Sequence, residues 1–139
     1  MGLFSKFKRK STDKPATDPM PKLEYKGGTK YASNESVDAY IDFEELGGYP
    51  YVKTVLLGLF SVRTKKSGCN LTFVFENGEE IILDSDNTQV ESDRVNKTKI
   101  YFTPIDFEIT EEALATIKKN NVAKVVFKFK RETLELAKI

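Results

Sequence analysis

The sequence predicts an α+β fold that is mainly β. We expect an antiparallel sandwich or partly open barrel of about six or seven strands, with one helix in the C-terminal half at about 111–120. Three observations carry this reading. Apolar and polar residues alternate at period two in several segments, as in strands with one buried face. Asn77-Gly78 lies between two such segments and marks a tight hairpin. Only the segment after Thr110 has the spacing and end signals of a helix.

The chain has 139 residues, 40% of them hydrophobic and 31% charged. A chain of that size hides roughly two-thirds of its unfolded surface. Its net charge of +1 conceals a division. Residues 1–22 hold six basic side chains against Asp13 and Asp18, hence +4. Residues 23–139 hold 16 basic and 19 acidic side chains, hence −3. We expect 1–22 to be a disordered basic arm and 23–139 to be a single β-rich domain. The prolines, Thr, Asp and Lys of Ser11–Pro21 leave little to bury.

Gly27-Gly28 interrupts Leu23–Tyr31, so only a weak edge strand is expected on either side. In Val37–Glu44, Val37, Ala39, Ile41 and Phe43 form an apolar face, while Asp38, Tyr40, Asp42 and Glu44 form an acidic one. Gly47-Gly48 and Pro50 make a turn. Tyr51–Thr64 has apolar groups on both faces, as a strand covered on both sides requires. Gly58 within it signals a bulge or a close backbone approach. Lys65-Lys66-Ser67-Gly68 turns the chain into Cys69–Glu76.

Burial selects the register at Asn77-Gly78. A two-residue loop would set Leu71 opposite Asp84 and Glu76 opposite Glu79. A three-residue loop over Glu76-Asn77-Gly78 instead pairs Phe75 with Glu79, Phe73 with Ile81, and Leu71 with Leu83. That places Leu71, Phe73, Phe75, Ile81 and Leu83 on one face, so the longer loop is expected. Asp84–Asn96 is polar and reads as a loop. Lys97–Glu108 reads as a strand in which Pro104 marks a bulge or an edge.

Thr110 caps the helix, Glu111 and Glu112 occupy its first turn, and Lys118 and Lys119 its last, each sign suited to the helix dipole. Ala113, Leu114 and Ile117 form its buried stripe. Val122–Lys130 follows as a strand, with Val125, Phe127 and Phe129 inward and Lys124, Lys128 and Lys130 outward. Those lysines read as guards of an exposed sheet edge, one able to pair with another copy. Leu134 and Leu136 have the opposite parity, which places a turn near Arg131-Glu132.

The chain contains no histidine, the commonest general base near neutral pH and the commonest metal ligand. No catalytic residue, metal or cofactor is assigned. Cys69 beside Lys65 and Lys66 admits an activated thiolate, but a small residue at a strand start explains it better. Asp84-Ser85-Asp86-Asn87 begins like a calcium loop, yet Thr88 and Gln89 break the pattern. Asp38, Asp42, Glu44 and Glu45 could supply a carboxylate pair, though a solvated outer face accounts for them. The glycine pairs lack phosphate-loop spacing. Nucleic acid is not expected, because Phe127 and Phe129 point away from the lysines and the body is acidic.

The function expected is a non-enzymatic binding or scaffolding module in the cytoplasm, with a protein partner. Peripheral membrane association is an alternative. It would use Leu3, Phe4 and Phe7 for insertion and Lys6, Lys8, Arg9 and Lys10 for attraction to anionic lipid. A small-ligand carrier or enzyme using carboxylates in a barrel mouth is a second alternative.

Overall fold

A computed structural model of the protein describes residues 23–139. The chain runs β1 (Lys30–Ser33), β2 (Val37–Leu46), β3 (Tyr49–Gly58), β4 (Arg63–Thr64), β5 (Asn70–Phe75), β6 (Glu80–Asp84), β7 (Val90–Glu91), β8 (Asp93–Arg94), β9 (Tyr101–Glu108), α1 (Glu111–Lys119), β10 (Val122–Lys128) and β11 (Thr133–Lys138). Nine strands form one antiparallel sheet in the order β6-β5-β10-β11-β1-β2-β3-β9-β8. A two-stranded ladder joins β4 to β7.

The sheet curls into a half-barrel. Ser85, just beyond β6, bridges Phe107 in β9, and the Asp86 amide donates to the Asp106 carbonyl at 2.8 Å. Register shifts between Lys30 and Ala32 and between Val122 and Lys124 add local twist, which helps the sheet coil. The fold is therefore mainly β and partly open, as expected, but it is not a sandwich. One continuous nine-stranded sheet supplies most of the core-facing surface. Among the described residues it also has eleven strands rather than six or seven. The polar stretch 84–96, expected to be a loop, contains β7 and β8. Two-residue strands are too short to display a period in sequence.

The concave side holds the main core. Phe73, Phe107, Phe127, Leu56, Leu71 and Leu136 are fully buried there. Burying each such side chain contributes roughly 1.5–3 kcal/mol. The Thr110 hydroxyl caps α1 by accepting from the Ala113 amide at 3.0 Å, and Ala113, Leu114 and Ile117 pack against this core.

The convex side of β2, β3 and β9 carries a second cluster of Tyr40, Val55, Leu57 and Ile100. Leu23, Tyr25, Val95 and Phe102 cover it. This explains why β3 reads as apolar on both faces. Tyr40 belongs to this cluster and is buried, although its strand face looked solvated in sequence.

Asn77-Gly78 adopts the longer loop. Leu71 pairs with Leu83 and Phe73 with Ile81, and the Phe75 amide donates to the Glu79 carbonyl at 2.9 Å. Gly78 has φ 92°, a conformation that glycine reaches without steric cost. The Phe129 amide donates to Glu132, forming the turn expected near Arg131.

Three boundaries change. β3 ends at Gly58, and Phe60 and Val62 pack against the core from a connecting segment. β9 begins at Tyr101, after a tight turn in which Val95 accepts from Thr98. β10 ends at Lys128 and is not an edge, because β5 and β11 flank it on both sides. Its lysines are outward because of strand parity, and Lys124 pairs with Glu135 at 3.2 Å. Pro104 causes no shift in the β3–β9 register, and β8 pairs only with Tyr101 and Phe102, so the proline stands past that partner.

Candidate functional site

The long β2–β3 hairpin projects Leu46 and Tyr49 on either side of Gly47-Gly48. They are 75% and 78% exposed. Cross-strand partners share a face, so the register defines what lies beside them. Leu46 pairs with Tyr49, Glu44 with Tyr51, and Asp42 with Lys53. On the other side of β3, Tyr51 pairs with Glu108 and Lys53 with Asp106. The convex face therefore grades from the Tyr40 cluster into a zone of carboxylates and aromatic rings at the hairpin end.

A cleft of about 470 Å³ opens there. Leu46, Tyr49, Pro50 and Ile109 form its apolar wall, and Asp86, Asp106 and Glu108 its acidic one, with Tyr51 between. Asp86 arrives from the polar segment after β6. The Asp86 and Asp106 main chains are hydrogen-bonded, and the Asn87 side chain accepts from the Asp106 amide at 3.1 Å. The segment resembling a calcium loop is thus a clasp that closes the seam and delivers a carboxylate to the cleft.

The acidic wall is crowded. Partial burial raises the Asp106 pKa, and the nearby Asp86 charge raises it further. A hydrogen bond with Asp86, followed by the charge of that carboxylate, raises Glu108. The Tyr51 hydroxyl donates to Glu44 at 3.0 Å, and this bond raises the phenol pKa. Lys53 is the basic member of these register rows. A cationic group entering the cleft would relieve like-charge repulsion at the acidic wall.

The residues singled out in sequence fall elsewhere or play other parts. Leu3, Phe4, Lys6, Phe7, Lys8, Arg9 and Lys10 lie outside the described residues. Asp38, Asp42 and Glu44 are spread along one face and are not paired with one another. Asp38 meets Lys30 at 3.5 Å, and Asp42 accepts from the Thr29 amide at 2.9 Å. Cys69 is buried, and desolvation pushes its thiol up to about 12, so it is protonated at neutral pH. Among the described residues, no group of three or more acidic or cysteine side chains is arranged to hold a metal ion. No described helix is long and apolar enough to cross a membrane.

The cleft joins three separate stretches of the chain, 46–51, 86 and 106–109, and its carboxylates carry no local motif. The signal available in sequence was the pair Leu46 and Tyr49 flanking a diglycine turn, where apolar side chains have no strand partner beyond them to pack on. Comparison with protein-family models, with curated proteins and with solved structures finds no match.

Proposed function

We propose that the protein is a non-enzymatic binding module whose docking surface is the cleft at the end of the β2–β3 hairpin. Its partner is a polypeptide segment that carries basic and apolar side chains together. The juxtaposition of exposed Leu46 and Tyr49 with Asp86, Asp106 and Glu108 supports this reading most directly. Large apolar groups held out in solvent at a hairpin tip gain by being covered. Crowded carboxylates gain by meeting Lys or Arg. Exposed ion pairs contribute only about 0.2–1 kcal/mol each, so apolar contact must supply the remainder and the affinity should be modest.

Fluorescence anisotropy with labelled peptides tests the reading. Three peptides of equal length suffice, one with Lys/Arg and Phe/Leu, one with Lys/Arg and Ser, and one with Asp/Glu and Phe/Leu. Only the first should bind well, and added salt should weaken it. Equal binding of all three, or binding of none, would contradict the proposal.

A further inference from the structure

The geometry points to an occupant for this cleft within the same chain, namely the segment of residues 1–10, seated there in cis. This rests on reading the cleft as a site for basic, apolar-bearing segments. Leu3, Phe4 and Phe7 stand among Lys6, Lys8, Arg9 and Lys10, which is the required combination. The charges are complementary, since residues 1–22 carry +4 and residues 23–139 carry −3.

Attachment favours the same face. The described chain begins at Leu23, which packs on the convex Tyr40–Val55 cluster. Val55 and Tyr51 are four positions apart on β3 and share that face, a separation of roughly 13 Å at the rise of a strand. The residues between Phe7 and Leu23 can span up to roughly 50 Å when extended, so reach does not limit docking. A short tether gives an effective concentration of the order of millimolar, enough to fill a site of modest affinity. An external peptide and residues 1–10 would then compete for one surface.

The test compares the full chain with the full-length triple variant Leu3→Ser, Phe4→Ser, Phe7→Ser. Two readouts are taken: amide chemical shifts of Tyr51, Glu108 and Ile109, and binding of a separate peptide with the sequence of residues 1–10. Docking in cis predicts concentration-independent shift differences at those amides and about tenfold tighter peptide binding by the variant. If peptide binds both proteins equally and the amides do not differ, the cis contact is wrong while the cleft remains a binding surface. Differences that vanish on dilution would assign the contact to a second copy and overturn docking in cis. If the peptide binds neither protein, the cleft reading fails, and the inference fails with it.

Discussion

Tyr51 stands directly across the β3–β9 ladder from Glu108, so a phenol and a carboxylate share the convex face where the hairpin ends. Tyr51 also bonds Glu44 across the β2–β3 ladder, and Glu108 interacts with Asp86. The central strand thus ties two acidic flanks together through one aromatic side chain. That arrangement separates this end of the convex face from the Tyr40 end, where the same three strands bury apolar groups.

Relieving the crowd should stabilise the fold near neutral pH. Asp106 and Glu108 both have raised pKa values when folded. The folded chain therefore binds protons more tightly than the unfolded one at these sites. Their contribution is most favourable at acidic pH and falls as pH rises through the folded values. Glu108→Gln should raise Tm near pH 7, and its difference from the parent should vanish near pH 3. Thermal melts across that range check it. A lower Tm at neutral pH would mean that the carboxylate is held by a favourable contact.

The hairpin tip should matter for binding and little for stability. Leu46→Ser and Tyr49→Ser alter exposed side chains, so unfolding free energy should change by no more than about 0.5 kcal/mol. Binding of the basic, apolar peptide should weaken by about tenfold for each, the scale of a modest interface anchor. Denaturant melts beside anisotropy titrations separate the two effects.

Gly58→Ala should destabilise the protein by about 1–3 kcal/mol, the scale of overpacking. A Cβ added there would meet the Ser36 carbonyl and come within 2.7 Å of the Val37 Cα. The register from Val37↔Gly58 onward is unbroken, so this glycine serves a close approach and not a bulge. Urea unfolding measures the loss. A neutral substitution would show that the β1–β2 connection yields easily.

Cys69 should be inert in the folded protein. Its thiol is buried and stays protonated at neutral pH, whereas thiolate is the reactive species. Labelling by a thiol reagent near pH 8 should proceed only on unfolding, and so follow the denaturation curve. Rapid stoichiometric labelling without denaturant would contradict this.

Much of the scaffold was legible because local rules and burial agreed. Leu71, Phe73, Phe75, Ile81 and Leu83 can share a face in only one of the two hairpin registers, so the loop at Asn77-Gly78 was decided by burial. Thr110, Glu111 and Lys118 marked the helix by capping and charge. The parity change at Leu134 exposed the turn before β11. What was not legible depended on long-range closure. Nothing local indicates that β5 flanks β10 on the side away from β11. Val90 and Asp93 sit in strands too short for periodicity. Tyr40 looked solvent-facing because its cover comes from Leu23, Tyr25 and Phe102, remote in sequence. The cleft had the same obstacle, since Asp86 reaches Asp106 and Glu108 only when the sheet curls.

The most direct test of the docking surface is an amide-resolved NMR titration of the full chain with the basic, apolar peptide. Docking in the cleft predicts shifts concentrated at Leu46, Tyr49, Tyr51, Asp106, Glu108 and Ile109, diminished by salt and by Tyr49→Ser. Shifts centred on the outer face of β10 and β11, or none at saturating peptide, would contradict it.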